Sequence, residues 1–104
     1  MTSLCNNNKR SPRLKAGVIE PILSVCMKGV SIYELSFEIQ RLFPLPYITL
    51  KKYLFYLISY ELVSYIGKNG IFVTEDWGLD LLYKINQERQ KYLANDEDIT
   101  ITIE

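Results

Sequence analysis

Apolar residues recur every three or four positions through the first part of the chain, which is the spacing of one face of an α-helix. The first such stretch covers residues 14–28, and Gly29 is suited to end it. Pro21 is compatible with two starting points for this helix. The helix begins near Gly17 and holds the proline in its first turn, or it begins near Leu14 and kinks at the proline. The pattern predicts a first helix in either case.

The clearest local signal belongs to a second helix. Ser31 and Glu34 have the spacing of a capping box, and Val30 and Leu35 have that of the hydrophobic staple that accompanies it. The prolines at positions 44 and 46 cannot continue a helix. The spacing therefore predicts a short helix that starts at Ser31. Its apolar face consists of Ile32, Leu35, Ile39 and Leu42.

A third helix is predicted from Pro46 to about Glu61. At about 100° per residue, its inward side chains are Leu50, Leu54, Leu57 and Ile58. Its outward side chains are Ile48, Lys52, Phe55, Tyr56 and Ser59, with Thr49 and Lys51 on the flanks. This helix therefore presents lysines and aromatic rings to the outside.

The pattern changes to β-branched and aromatic residues after the third helix, on both sides of residues 67–70. Asn69-Gly70 is the favoured pair for a two-residue type I′ turn, so a hairpin is predicted there. Thr74 is a suitable N-cap for a fourth helix, whose apolar side chains continue to Ile85. Alternating isoleucine and threonine over residues 99–103 predicts a strand, which must pair within the chain or with a second copy.

Charges cancel over the whole chain, with 12 Lys or Arg and 12 Asp or Glu, but they are unevenly distributed. Residues 1–13 are polar and basic, and they are predicted to form a flexible arm. Residues 14–95 are predicted to form one domain with an extended last helix. An acidic tail with the predicted strand follows at residues 96–104. The chain is thus basic at one end and acidic at the other.

Composition argues against several classes of function. The chain has no histidine and two cysteines, so we expect no metal site, no histidine-dependent nucleophile and no cofactor. Cys26 is expected to be a small buried hydrophobe. No apolar run is long enough to cross a bilayer, and the first residues do not have the pattern of a secretory signal. A cytoplasmic protein that is not an enzyme is therefore predicted.

Several motifs, in this order of elements, resemble the small winged helix-turn-helix regulators common in archaea. A Lys-Gly pair at 28–29 ends the first helix, LPYITLKKYL at 45–54 opens the third, and LISYELV at 57–63 leads from helix to strand. Thr74-Glu75 follows the hairpin, while Pro46 replaces the family's usual serine and Gly78 comes one residue later than usual. The resemblance implies an α+β, mostly α fold with a three-helix core, a short β-hairpin wing and a long C-terminal helix, to which a C-terminal strand can be added.

The resemblance also implies a DNA-binding transcription regulator, with the third helix in the major groove of double-stranded DNA and the wing on its backbone. The expected DNA contacts are Tyr47, Thr49, Lys51, Lys52, Tyr56 and Lys68. The arm offers further phosphate contacts from Lys9, Arg10, Arg13 and Lys15. Because the outward face has no Arg or Asn, it lacks the bidentate readers of guanine and adenine.

Two further expectations concern protein partners. Phe55 and Tyr56 on the outward face keep a second function open, a winged-helix protein-protein interaction module that uses this aromatic face. A homodimer is also predicted, because the second half of the fourth helix lacks an apolar partner within the chain. Its expected contacts are Ile85, Tyr92 and Leu93, with the tail strand adding to a hairpin edge of either subunit.

Overall fold

The computed structural model describes residues 13–92 and 100–102, and the side chains of residues 14–88. Its elements are β1 (Arg13–Lys15), α1 (Ala16–Cys26), α2 (Ile32–Leu42), α3 (Tyr47–Ser59), β2 (Val63–Ile66), β3 (Ile71–Thr74), α4 (Asp76–Tyr92) and β4 (Thr100–Thr102). The fold is α+β and mostly helical, as predicted. None of the helices in these residues is long and apolar enough to cross a membrane.

Helix α1 lies at the centre of the fold and packs against α2, α4 and β3. It begins at Ala16, close to one of the two predicted starts, but Pro21 lies inside the helix rather than in its first turn. The helix ends at Cys26, and Gly29 then adopts a left-handed φ of 82° that favours glycine. Its fully buried side chains are Ala16, Ile19, Ile22, Leu23 and Cys26.

Helix α2 begins with the predicted capping box. The Glu34 amide donates to the Ser31 hydroxyl over 3.1 Å, and the Ser31 amide donates to the Glu34 carboxylate over 3.0 Å. The prediction that Leu42 belongs to the buried face is wrong, because Leu42 is 60% exposed and Phe43, just after the helix, packs against the core instead. The Gln40 side-chain amide donates to the Leu45 carbonyl and so ties the end of α2 to the turn before α3.

Helix α3 ends at Ser59, two residues before the predicted end at Glu61. The Leu62 amide donates to the Leu57 carbonyl over 2.8 Å, and the Glu61 amide donates to the Ile58 carbonyl over 3.0 Å. These two bonds form a Schellman motif, whose turning position is usually glycine. Here Glu61 occupies it with a φ of 64°. The chain therefore leaves α3 through a left-handed glutamate and enters β2 directly.

The hairpin of β2 and β3 forms where it was predicted, but its turn is different. Ile66 pairs with Ile71, so the loop contains four residues, 67–70, and the Gly70 amide donates to the Ile66 carbonyl over 2.8 Å. A type I′ turn needs a positive φ at both central residues. Gly70 has a φ of 66°, but Asn69 does not have a positive φ, so the predicted type I′ turn is wrong.

A third segment joins this hairpin. The amide of Val30, between α1 and α2, donates to the Phe72 carbonyl over 3.0 Å, and the Phe72 amide donates back to the Val30 carbonyl over 2.7 Å. Val30 is also buried as part of the staple of α2. The bridge therefore fixes strand β3 against the start of α2.

The prediction that Thr74 caps the fourth helix is wrong. Thr74 is the last residue of β3, and its hydroxyl donates to the Leu23 carbonyl of α1 over 2.7 Å in a buried position. Helix α4 begins two residues later, and the Glu75 amide before it donates to the Leu62 carbonyl over 2.9 Å. Gly78 packs so closely here that an added Cβ would collide with the Leu62 carbonyl oxygen.

The tail strand β4 pairs with β1 in antiparallel register, with Arg13 opposite Thr102 and Lys15 opposite Thr100. The expectation that the tail strand adds to a hairpin edge is therefore wrong. Arg13, which was assigned to the flexible arm, is part of a strand. The strand also places residues of the predicted tail against the domain that was predicted to end at residue 95.

The prediction that Ile85 is a dimer contact is wrong, because its side chain is 1% exposed and belongs to the core of its own chain. Leu93 lies outside the described residues, and Tyr92 is described only as the last residue of α4. Lys9 and Arg10 of the arm also lie outside the described residues.

Candidate functional site

The outer face of α3 carries three of the residues predicted to contact DNA, Tyr47, Lys51 and Lys52. Leu50, Leu54 and Leu57 are buried as predicted, and Ile58 is half-buried. The opposite face exposes Tyr47, Ile48, Lys51, Lys52, Phe55 and Ser59. The helix therefore offers two ammonium groups beside a continuous apolar and aromatic surface.

Tyr56 does not belong to that face, although it was predicted to point outward. Its side chain is half-buried against the core, with its ring 5.6 Å from the Phe55 ring in an edge-to-face contact. Thr49 is half-buried as well. Of the predicted contacts on α3, Tyr47, Lys51 and Lys52 have exposed side chains.

A groove of about 500 Å³ separates α3 from the hairpin. We call it the aromatic groove. Residues from α3, from the hairpin and from the start of α2 line it: Ile32, Tyr47, Lys51, Leu54, Phe55, Ile58, Tyr65, Gly70 and Phe72. Three of its rings are well exposed, since Phe55 is 65% accessible, Tyr65 51% and Tyr47 48%.

Among the described residues that line the aromatic groove, Lys51 is the only one with a formally charged side chain. Its Nζ atom lies 5.5 Å from the centre of the Tyr47 ring, within the range of a cation–π contact. On the other wall, the Tyr65 and Phe72 rings pack with their centres 4.8 Å apart. The groove thus has one positive group, on its α3 wall, and aromatic rings on both walls.

The loop at the end of the hairpin reaches the same groove. Gly70 is one of the lining residues, and Lys68, two residues earlier in the loop, is exposed. The predicted contact Lys68 therefore belongs to the loop that faces Lys51 across the groove. Sequence reasoning missed Tyr65 and Phe72, which form the hairpin wall of the groove.

Lys15 approaches α3 from another direction. Its backbone amide donates to the Tyr53 hydroxyl of α3 over 3.1 Å, and its side chain is exposed. Strand β1 therefore enters the fold beside α3. Of the four basic residues predicted as phosphate contacts near the N-terminus, the structure describes two, Arg13 and Lys15. Arg13 is described by its backbone alone.

A second groove, of about 530 Å³, adjoins the first and shares Ile58 and Tyr65 with it. We call it the acidic groove. Its charged lining residues are Glu61, Glu75 and Asp76, next to Trp77, which is 64% exposed. In the part of the chain that the structure describes, these carboxylates form no group able to hold a metal ion.

Cys26 has no exposed surface, as expected of a buried hydrophobe. Burial raises the pKa of its thiol from 9.0 to about 12. The thiol therefore stays protonated at neutral pH and is a poor nucleophile.

No protein-family model, no curated protein sequence and no solved structure matches the chain. The chemistry of the site therefore follows from its own geometry: an exposed helix face with two lysines, a loop with a third, and an aromatic groove between them.

Proposed function

We propose that this chain is a winged helix-turn-helix transcription regulator that binds double-stranded DNA, with α3 in the major groove and the β2–β3 hairpin as the wing on the backbone. The observation that carries the proposal is the set of exposed lysines on α3 and in the hairpin loop. Lys51 and Lys52 are exposed on α3, Lys68 is exposed in the loop, and Lys51 and Gly70 of that loop line the same groove.

The order of elements supports this assignment. A capped α2 leads through a short turn to α3, the hairpin follows α3 directly, and α4 closes the fold over α1. The bridge between Val30 and Phe72 ties the hairpin to the helix pair, so wing and helix would meet DNA as one body. The resemblance of residues 22–85 to archaeal winged helix-turn-helix regulators agrees with this order.

Within this proposal, Lys51 and Lys52 contact phosphates on the edges of the groove, Lys68 contacts the backbone from the wing, and Tyr47 offers a hydroxyl to a base edge or a phosphate. Thr49 keeps a smaller part because it is half-buried, and Tyr56 is dropped as a contact. Sequence preference then depends on water, methyl contacts and DNA shape rather than on bidentate hydrogen bonds.

We further propose that the protein acts in the cytoplasm as a homodimer through α4. This helix exposes Leu79 and Tyr83, one turn apart, on the side away from the core, 41% and 65% accessible. Tyr92 and Leu93 remain candidates farther along the chain. A dimer places two copies of α3 on successive turns of DNA and doubles the phosphate contacts that one chain of zero net charge supplies.

The test of DNA binding is the affinity for duplex DNA as a function of salt, measured by fluorescence anisotropy. We expect binding at ~50 mM salt, and we expect Lys51→Ala with Lys52→Ala to lower the affinity about tenfold and the salt slope by about 2. The matched control is Lys28→Ala with Arg41→Ala, which removes the same charge from exposed positions outside α3, the hairpin and the proposed dimer helix α4. An absence of binding, or equal losses in both double variants, would overturn the proposal.

The alternative function, a protein-interaction module, is favoured by one observation. Ile48 and Phe55 are 75% and 65% exposed on the outer face of α3, and exposed apolar patches can mark protein-interaction sites. The alternative predicts a partner protein that is retained without DNA and lost on Ile48→Ala with Phe55→Ala. Duplex binding that depends on Lys51 and Lys52 would decide against it.

A further inference from the structure

The aromatic groove does not match paired DNA, although the proposed function places it against DNA. In a duplex the faces of the bases are covered by stacking, and the grooves present only base edges and the thymine methyl group. Phe55, Tyr65 and Tyr47 offer ring faces and apolar surface. Phosphates would gain nothing from these rings, so a duplex bound by the lysines would leave most of the aromatic groove unused.

Unpaired bases expose the faces that a duplex covers, and these faces can stack on the aromatic rings of the groove. Proteins that bind single strands combine positive groups along the backbone with aromatic rings on which successive bases stack, and this stacking tolerates any base sequence. We infer that the aromatic groove binds unpaired bases of single-stranded DNA, which stack on Phe55 and Tyr65 while Lys51 contacts a phosphate. This inference rests on the proposed function, since it assumes that the surface faces DNA.

The geometry of the groove supports this ligand. Phe55 on α3 and Tyr65 on the hairpin belong to opposite walls, and a volume of about 500 Å³ is within the range of pockets that hold small organic groups such as a nucleobase. The Tyr65 ring packs against the Phe72 ring, which also lines the groove, with 4.8 Å between ring centres and 42° between ring planes. The wall opposite Phe55 is therefore a packed ring pair rather than a lone side chain.

Charge determines where the strand can lie. Lys51 is the only formally charged residue in the lining of the aromatic groove as far as the structure describes the chain, and Lys68 lies in the hairpin loop beside it. Beyond Ile58 and Tyr65, the neighbouring groove carries the carboxylates of Glu61, Glu75 and Asp76. A phosphodiester backbone is therefore attracted to one side of Tyr65 and repelled from the other, which confines a single strand to the aromatic groove.

The experiment compares three labelled ligands on the full chain by fluorescence anisotropy: a mixed-sequence 12-nucleotide DNA strand, the RNA strand of the same sequence, and the 12-base-pair DNA duplex. We expect Phe55→Ala to lower the affinity for the DNA strand about tenfold, the size of one base–ring stack, and to change duplex affinity by less than about threefold. Phe55→Leu, which keeps apolar bulk but removes the ring, should lose most of the same affinity.

Phe37→Ala is the matched control, because Phe37 is also 65% exposed but lies on α2 outside the groove. It should leave all three affinities unchanged. Strands that carry 5-iodouracil should cross-link on irradiation to Tyr47, Phe55 or Tyr65, as identified by mass spectrometry. Cross-links that form only at Trp77 or Tyr83 would overturn the assignment of the groove.

The outcomes separate this inference from the proposed function. Duplex binding that depends on Lys51 and Lys52, together with strand binding unchanged by Phe55→Ala, would overturn the inference alone. Binding to neither nucleic acid would overturn both. Tighter binding to RNA than to DNA, or a DNA-independent protein partner that requires Phe55, would overturn the assignment to single-stranded DNA.

Discussion

The two grooves are nearly equal in size and share two lining residues, Ile58 and Tyr65, yet their chemistry is opposite. The aromatic groove has one charged lining residue, which is the cation Lys51. The acidic groove has three, all carboxylates. The sign of the lining charge therefore changes between two grooves that meet at Ile58 and Tyr65. A net charge of zero conceals this separation, because it averages over two surfaces that would treat a phosphate in opposite ways.

The grooves also differ in how they are held. Side chains make the aromatic groove, and the backbone bridge from Val30 to Phe72 holds its hairpin wall against the start of α2. The acidic groove depends on backbone packing at Leu62, whose carbonyl accepts from the Glu75 amide and touches Gly78. Substitutions should accordingly change ligand binding at the first groove and stability at the second.

The largest expected effect comes from Gly78→Ala. The added Cβ would meet the Leu62 carbonyl oxygen and lie 2.7 Å from the Thr74 Cγ2 atom, so α4 must move away from the hairpin. We expect a loss of about 2 kcal/mol in the free energy of unfolding, measured in urea. Gly17→Ala is the control, because its Cβ meets nothing within 4 Å, and it should gain about 0.5–1 kcal/mol as a helical Gly-to-Ala change. If Gly78→Ala and Gly17→Ala changed the free energy of unfolding by the same amount, Leu62 would not constrain the acidic groove.

A smaller effect of opposite sign is expected from Glu61→Gly. A residue with a side chain in the left-handed region costs about 1–2 kcal/mol, and glycine escapes this cost but loses more chain entropy on folding. The net gain in unfolding free energy should be about 0.5–1 kcal/mol. Glu61→Ala separates the two roles of this residue, since it removes the carboxylate and keeps the strained φ of 64°. A gain in Glu61→Ala equal to that in Glu61→Gly would assign the effect to charge.

The smallest effect is expected from removing two of the three carboxylates of the acidic groove, with Glu75→Gln and Asp76→Asn. Removing two carboxylates next to the hairpin should raise the affinity for duplex DNA about two- to threefold at ~50 mM salt, because exposed charges act weakly through water. The increase should vanish at ~0.5 M salt. An increase that persists at high salt would mean that these residues obstruct DNA by their shape rather than by their charge.

The sequence predicts helices well where local chemistry decides. The capping box at Ser31 and Glu34 and the spacing of Leu50, Leu54 and Leu57 require only neighbouring residues, and the structure confirms them. The sequence predicts less where a distant partner decides. Thr74 is a residue type that often caps helices, but its hydroxyl instead donates a hydrogen bond to the Leu23 carbonyl, 51 residues away in sequence.

The aromatic groove was missed because of one turn. A two-residue Asn69-Gly70 turn would place Tyr65 opposite Thr74 and Ile66 opposite Val73. The four-residue loop shifts the register by two and makes Tyr65 the cross-strand partner of Phe72. That pair is one wall of the groove, so no reasoning from α3 alone could find it. The sequence signal for the longer loop was Gly70, the one residue of the four that has a left-handed φ.

Strands β1 and β4 have a consequence for the topology of the chain. Arg13 and Thr102 are partners across the ladder, and Lys15, opposite Thr100, donates its amide to the Tyr53 hydroxyl. The hydrogen bonds of the ladder therefore already hold residues 13–15 beside residues 100–102. A short covalent linker between Arg13 and Thr102 would close this part of the chain into a ring, which could then be reopened in a loop such as 67–70 without changing the order in which its elements pack.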